Sequence, residues 1–374
     1  MKTIAFDGKR AVLNYTGIGN YSRLAIESLL PLLPTDTHLD LYTPRIKENP
    51  RLAPLLANQR VSLCTPDTLA GRLLPQLWRS NGLTAQLRRD RPALYHGLSN
   101  ELPLGIERSG IPSVVTIHDL IFERHPEFYH APDVAICRKK FRYAAEAADR
   151  VIAISRRTAD DLRELYGIPG DKIRIVYQGC SPLFFRTPSP EAVAKHQRRF
   201  GTYIIGVGTI ESRKNQLLTL RALAQLPSDV NLVLVGRQTA YAKRIAAEAR
   251  KLGLSNRLTM LSGVTMAQIP ALYAGATIAA YPSFYEGFGI PMLEALACGT
   301  PLVAATGSCL EEAGGPGALY VDPTDVDAFA AAARRLLDSS SLRQEMVHRG
   351  QQYITRFAPE KFGQGLVNVY NELL

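Results

Sequence analysis

The sequence predicts an α/β protein of two domains, each built on a parallel sheet, and three observations predict it. Its 374 residues exceed one ordinary core and suit two domains of roughly 150–200 residues each. Short apolar runs alternate with helical stretches from end to end, which is the βαβ rhythm of parallel sheets. Between two such series lies SPLFFRTPSPEAVAKHQRRFG (181–201), rich in proline and polar residues as an interdomain linker should be.

The first series predicts strands at TIAF (3–6), HLDLYT (38–43), ALYHG (93–97), SVVTIHD (113–119), RVIAIS (150–155) and IRIVY (173–177), with helices between them. The second predicts YIIGVG (203–208), NLVLVG (231–236), LTMLSG (258–263), TIAAYP (277–282), PLVAA (301–305) and ALYVD (318–322). The boundary falls near residue 183, giving a first domain over 1–183 and a second over 184–357. Pro359 interrupts the last helical stretch, and a break there lets the final helix turn away from the second domain.

Composition narrows the function. No run approaches the roughly 18 apolar residues of a membrane span, and MKTIAFDGKR carries charge where a secretory peptide is apolar, so a cytoplasmic protein is expected. Five cysteines lack metal-like spacing and their odd number argues against a disulfide framework, so they read as reduced core thiols. The net charge of +10 is spread over both halves, with local clusters at Arg138, Lys139, Lys140 and Arg142 and among six arginines of 60–91. Polyanions would be drawn to either, but no zinc finger, helix-turn-helix or RNA-recognition pattern accompanies them, so a nucleic-acid partner is not expected. Asp325 and Asp327 form a DxD at a helix start, where acidic residues suit the dipole, and no metal is assigned to them.

The chemistry concentrates in YPSFYEGFGIPMLEALACGT (281–300). Pro282 and Ser283 end a buried strand, Pro291 suits the first helical position, and MLEALA contains strong helix formers. Gly287, Phe288 and Gly289 therefore occupy a strand-to-helix loop whose N–H groups, running on to Ile290, can meet an anion at a helix N-terminus. Glu286 stands at the loop's tip and Glu294 in the first turn of the helix, so two carboxylates face one crevice at the carboxyl end of the strand. The spacing alone also fits a loop glutamate without a role and a helix-start glutamate favoured by the dipole. Read as EGFGIP-x-LE-x(2)-A-x-G-x-P, however, the stretch resembles the donor-site signature of retaining glycosyltransferases of family four. Those enzymes have the GT-B fold, two Rossmann-like domains with parallel sheets facing across a cleft. The resemblance implies that Glu286 contacts the transferred sugar, that the amides of Gly287 to Ile290 contact sugar and phosphate, and that Glu294 holds the ribose hydroxyls.

Three further motifs extend the resemblance. GVGTIESRKNQLLTL (206–220) sets Arg213 and Lys214 at a helix start, where two cations oppose the dipole but fit a diphosphate clamp. Its GTIE-x-RKN spelling resembles the family's phosphate-binding turn, with Ser212 where proline is frequent. TGIGNYSRLAIESLL (16–30) has Ser22 at the third position of a dinucleotide fingerprint and follows its strand at a distance, which argues against a dehydrogenase. Gly17 and Gly19 are then either a flexible turn or, as the similar loop of the family implies, a loop closing over the diphosphate. SVVTIHDL (113–120) ends a strand with His118 and Asp119, a capped structural pair or, by resemblance, a histidine facing the donor sugar with Asp119 orienting it by a hydrogen bond. RFAPEKF (356–362) resembles the family's crossing of the last helix onto the first domain, which assigns 358–374 there.

The implied function is a retaining hexosyltransferase that needs no metal or other cofactor. Glu286 and His118 position the sugar, while Arg213 and Lys214 stabilise the departing nucleoside diphosphate in a front-face displacement. The spellings look most like bacterial mannosyltransferases of surface-polysaccharide pathways, hence GDP-mannose as donor and a saccharide, lipid-linked, as acceptor. A sugar-nucleotide 2-epimerase and a non-catalytic nucleotide-sugar-binding protein are the alternatives. Finally, 69–91 mixes Leu73, Leu74, Leu77, Trp78 and Leu83 with Arg72, Arg79, Arg88 and Arg89, which reads either as a core-facing helix with a solvated basic side or as an interfacial helix on anionic membrane at the inner face of the plasma membrane.

Overall fold

The computed structural model describes residues 2–374. The chain forms two compact units, residues 1–179 with 359–374, and residues 180–358. The first contains seven strands, β1 (Lys2–Asp7), β2 (Thr37–Tyr42), β3 (Val61–Cys64), β4 (Leu94–Gly97), β5 (Ser113–Ile117), β6 (Arg150–Ala153) and β7 (Ile173–Ile175). They pair in the order β3-β2-β1-β4-β5-β6-β7, every pair parallel. The second contains β8 (Thr202–Val207), β9 (Val230–Val235), β10 (Leu258–Leu261), β11 (Ile278–Tyr281), β12 (Leu302–Ala305) and β13 (Ala318–Val321), in the order β10-β9-β8-β11-β12-β13 and again all parallel.

Central strands are apolar on both faces because helices cover both. Every residue of β4, β5, β11 and β12 is buried, so these runs read as continuous rather than alternating. The strand that sequence reasoning missed, β3, lies at a sheet edge, and only Val61 of its four residues is buried. An edge strand needs little apolar content, so it leaves little trace in the sequence.

Each sheet has one place where its order reverses. In the first unit the chain winds outward from β1 through β2 to β3, then returns to lay β4 on the other side of β1; in the second it winds from β8 to β10 and returns to lay β11 beside β8. At such a switch point the connections leave toward opposite faces, opening a crevice at the carboxyl ends of the two central strands.

The division falls at 179/180, slightly before residue 183, because the intervening segment packs into the second unit. Phe184 is fully buried against Tyr273, with ring centroids 6.4 Å apart, and the Cys298 thiol donates to its carbonyl at 3.6 Å. Near the other end, the helix Ser340–Ile354 passes into a 3-10 turn (Thr355–Phe357) and an extended Ala358. Pro359 then opens the helix Pro359–Asn371, where its missing N–H costs nothing, and that helix packs on Gly17–Leu29 of the first unit.

The stretch 69–91 is not one helix. Pro75 breaks it into Leu69–Leu73 and Pro75–Leu77, followed by a π-helical turn (Trp78–Gly82) and Leu83–Asp90. Trp78 and Leu83 turn into the core, and Arg79 is buried in ion pairs with Asp7 and Glu101, both 2.6 Å. Leu69, Leu73, Leu74 and Leu77 face outward with 74%, 71%, 55% and 56% of their surface exposed. All five cysteines are free, but only Cys180 and Cys309 are buried. Among the described residues no helix is long and apolar enough to cross a membrane.

Candidate functional site

The residues singled out in the sequence fall into two groups, one at the carboxyl ends of each sheet. In the second unit they gather at the switch point. After β8 the chain passes through a 3-10 turn (Ser212–Lys214) to the helix Gln216–Leu223, and after β11 it runs through 282–289 to the helix Ile290–Ala297. Asn215 makes the first connection possible. It takes the left-handed conformation (φ 53°), which asparagine tolerates better than most residues, and its Nδ2 donates to the carbonyls of Pro282 (3.1 Å) and Pro323 (2.7 Å). Phe284 N–H in turn donates to Arg213 O at 3.0 Å, so the two loops are tied together by backbone.

This tie brings Glu286 against both cations. Its Oε1 lies 2.5 Å from Lys214 Nζ and its Oε2 2.8 Å from Arg213 Nη1. Arg213 also holds Glu211 at 2.8 Å and donates to Tyr285 O at 2.7 Å; Lys214 donates to Tyr281 Oη at 2.8 Å and sits 4.9 Å above that ring. Burial alone would raise the Glu286 carboxyl, but Arg213 and then Lys214 outweigh it and bring it down to about 2. Burial acts the other way on Lys214 and holds it below the ordinary lysine value although Glu286 opposes the shift. The three groups form a largely buried cluster in which each carboxylate oxygen meets one cation. The dipole argument for Arg213 and Lys214 is thereby corrected. Both precede the helix, in the 3-10 turn, and their company is carboxylate.

Glu294 is in the opposite state. The helix begins at Ile290 with Pro291 second, so Glu294 falls in the second turn rather than the first, and no dipole effect at the N-terminus accounts for it. It is 8% exposed, and burial by itself pushes its carboxyl up to about 8, so at neutral pH it is a protonated acid. It lies close enough to Cys298 to add to the burial that raises that thiol to about 12.

The loop between the glutamates is held from beneath. The Cys309 thiol lies 3.1 Å from Glu286 O and 3.0 Å from Phe288 O, and Phe288 packs edge-on against Phe357 at 5.3 Å. Gly289 adopts φ 122°, a conformation closed to most residues, and a Cβ there would come within 3.0 Å of Leu310 Cδ2. It directs the chain into the helix, where Pro291 has no N–H and the Met292 N–H donates to Gly289 O at 2.9 Å, leaving Ile290 N–H as the first-turn donor without an intrahelical acceptor. Gly287 lies at the half-buried crest of this loop. A cavity of about 560 Å³ in the same unit, lined among others by Phe185, Arg186, Gln197, Cys298 and Gln351, includes neither the ionic cluster nor the glycine loop.

In the first unit, His118 follows β5 and is buried. Its N–H donates to Asn100 Oδ1 at 2.6 Å and its Nε2 lies 2.9 Å from Leu98 O. A carbonyl only accepts, so Nε2 carries the proton and Nδ1 is the lone-pair side. Burial lowers the ring to about 4, with Leu98 opposing and Arg10 assisting, so it is neutral at physiological pH. Leu98 O holds the ring and Asn100 the backbone N–H of His118, while Asp119 Oδ1 accepts Ile121 N–H at 3.2 Å. Gly17 and Gly19 are the first and third residues of the helix Gly17–Leu29 instead of a loop. A Cβ on Gly19 would meet Asn14 O at 2.2 Å, which explains that glycine by local packing, whereas Gly17 has open space around it.

Sequence reasoning did not single out Glu211, Asn215, Tyr281, Leu98 or Asn100. Glu211 and Asn215 had a signal, standing inside the GTIE-x-RKN spelling; Leu98 acts through its backbone carbonyl, and Tyr281 and Asn100 through contacts that only the folded chain brings together. Asp325 caps the helix Val326–Asp338 by accepting Ala328 N–H at 2.8 Å, and Asp327 accepts from Gln225 at 2.7 Å.

Comparison with known proteins adds the following. Residues 191–353 match the family described as glycosyl transferases group 1, and residues 35–182 match glycosyltransferase family 4. The chain is 29% identical over 294 residues to an O-antigen chain mannosyltransferase of Escherichia coli, covering 77% of this chain and 76% of that protein. It is 31% identical over 301 residues to a D-inositol 3-phosphate glycosyltransferase of Acidothermus cellulolyticus, covering 75% and 66% respectively. Among solved structures, Anabaena HepE in complex with UDP and glucose superposes with a TM-score of 0.75 at 21% identity, with all of both chains covered.

Proposed function

The chain belongs to the family-four glycosyltransferases of the GT-B type, and from that premise we propose that it transfers a hexose, with retention, from a nucleotide sugar to a saccharide acceptor. The observation that carries the proposal is the Glu286 carboxylate bridging Arg213 and Lys214 at the switch point of the second sheet. A nucleoside diphosphate brings the anionic charge that such cations seek, and its arrival lets Glu286 exchange a cation for sugar hydroxyls. Negative charge then grows on the leaving diphosphate in the transition state, where Arg213, Lys214 and the amides of Gly287 to Ile290 stabilise it. Glu294 takes the ribose hydroxyls. His118 presents Nδ1 to a sugar hydroxyl, a role that requires a neutral ring at working pH.

In this reading Glu286 and His118 position the sugar, and the leaving phosphate takes the acceptor proton, so no metal is needed. The donor is GDP-mannose and the acceptor a lipid-linked saccharide of a bacterial surface polysaccharide, supported by likeness to a mannosyltransferase of O-antigen chains. Peripheral contact with anionic membrane would use the outward leucines Leu69, Leu73, Leu74 and Leu77 with Arg72 among them. Incubating the purified protein with a panel of nucleotide sugars, each with and without a lipid-linked saccharide, tests the proposal. Product only from GDP-mannose with acceptor is expected, whereas conversion of a nucleotide sugar without acceptor would indicate an epimerase.

A further inference from the structure

The first unit contains a buried polar chain that ends against His118. Tyr370, near the end of the helix Pro359–Asn371, places its hydroxyl 2.7 Å from His96 Nδ1. His96 Nε2 lies 2.9 Å from Thr116 Oγ1, and Thr116 Oγ1 lies 3.0 Å from Tyr21 Oη. Tyr21 meets the His118 ring edge-to-face, centroids 4.6 Å apart, and is backed by Phe362 of the same C-terminal helix at 5.4 Å. None of Tyr370, His96, Thr116, Tyr21 and His118 is more than 5% exposed.

The chain has a donor for every link. Two phenols, one hydroxyl and one neutral imidazole supply four protons for three links, so each link has a donor whichever way the chain runs. Buried networks in which every link is made rigidify what they touch, and removing a member strands the polar group it was linked to. Nothing in the hold on His118 by Leu98 and Asn100 fixes the tilt of the ring, because both contacts lie along its plane and backbone. Tyr21, with its ring nearly perpendicular to that of His118 at 4.6 Å, packs against that tilt. We infer that Tyr21 is a positioning residue for His118, and that Tyr370, acting through His96 and Thr116, ties the geometry of His118 to the seating of the C-terminal helix. The inference rests on the reading that His118 meets the donor sugar.

The functional consequence is specific. Loss of the chain should disturb the step in which the sugar is aimed and leave nucleoside diphosphate binding, a property of the second unit, unchanged. Tyr370→Phe and Tyr21→Phe keep both rings and delete one hydroxyl each. We expect either to lower kcat/KM for sugar transfer roughly three- to thirty-fold, less than the ~10²-fold that a 1 Å misplacement can cost, with the Kd of GDP unaltered. The decisive comparison is a double-mutant cycle with His118→Ala. If Tyr370 acts through His118, Tyr370→Phe costs nothing further in the His118→Ala background. An equal loss in both backgrounds, or none in the wild-type background, overturns the inference. Should His118→Ala retain full activity, the assigned role of His118 fails instead. The imidazole ¹⁵N and ¹H resonances of His118 then still decide the positioning claim, since Tyr21→Phe and Tyr370→Phe must both shift them, and unmoved resonances refute it.

Discussion

Replacing Glu286 by glutamine keeps the shape of the side chain and removes the charge that two cations share. In the folded protein Lys214 Nζ and Arg213 Nη1 lie 2.5 and 2.8 Å from its oxygens. Arg213 retains Glu211, but Lys214 keeps only the Tyr281 hydroxyl. Breaking a buried pair by removing one partner costs about 3–5 kcal/mol, because the other charge remains desolvated. The titration of Glu286 gives a similar figure, since lowering a carboxyl from 4.5 to about 2 corresponds to about 3 kcal/mol. For a domain of this size that loss lowers Tm by roughly 6–20 °C. Its pH dependence has a definite sign. The Glu286 contribution is complete above 4.5 and disappears as pH falls toward 2, so the wild type loses this increment in acid and Glu286→Gln does not.

The same substitution should affect two ligands differently. A diphosphate no longer competes with a resident carboxylate for Arg213 and Lys214, so GDP should bind about tenfold more tightly, a gain of about 1.4 kcal/mol. Sugar transfer should nevertheless fall, because the group that receives the sugar hydroxyls is changed. Calorimetric melting and titration with GDP, followed by single-turnover transfer assays, measure all three quantities. An unchanged Tm, or weaker GDP binding by Glu286→Gln, would refute the claim that Glu286 holds the cations in reserve.

Glu294→Gln mimics the protonated acid; it should raise Tm at pH 8, where the wild type bears the cost of ionising a buried carboxyl held near 8, and leave Tm unchanged at pH 4, where that group is neutral in both folded and unfolded chains. Binding of GDP-mannose to the wild type at pH 7 should release a proton, because two ribose hydroxyls favour the ionised carboxylate, and titration enthalpies that do not depend on the buffer's ionisation heat would exclude this. Transfer should persist in EDTA; loss of turnover in chelator with recovery on manganese would show that a metal takes part. Changing Leu69, Leu73, Leu74 and Leu77 together to Ser, at exposed positions that leave the buried Arg79 cluster intact, should abolish sedimentation with anionic liposomes at low salt without altering GDP affinity, and equal sedimentation of both proteins would assign no membrane role to the patch.

Much of this molecule is legible in the sequence because parallel sheets are buried on both faces. Runs such as SVVTI and TIAAY announce strands without reference to the rest of the chain, and glycine and proline mark where each ends. What is not legible depends on the packing of distant residues. The edge strand β3 gains its place from β2 rather than from its own composition. Gly19 looks like part of a phosphate loop but is required by the carbonyl of Asn14 five residues earlier. The arginines of 69–91 look like one basic face, and only the folded chain shows that Arg79 points inward to Asp7 while Leu69, Leu73, Leu74 and Leu77 point out.

The two glutamates of the donor motif show most clearly what a fold adds to a spelling. Eight positions apart in the sequence, they have the same side chain and are buried almost equally, at 7% and 8% exposure. Their charge states are nevertheless opposite at neutral pH, with Glu286 near 2 and Glu294 near 8. The difference comes from the connection after β8, which the switch point brings against one carboxylate and not the other. In the proposed reading Glu286, ionised and shared by two cations with one contact on each oxygen, keeps lone pairs for a sugar hydroxyl, and phosphate arriving on Arg213 and Lys214 frees more of its charge for that contact. Glu294, neutral and with no cation paired to it among the described residues, is in the proposed reading ready to engage a hydroxyl. In that reading the nucleoside is held by Glu294, and the grip of Glu286 on the sugar strengthens once the diphosphate shares its cations. A free hexose brings no diphosphate to share those cations and should bind less tightly than an activated sugar.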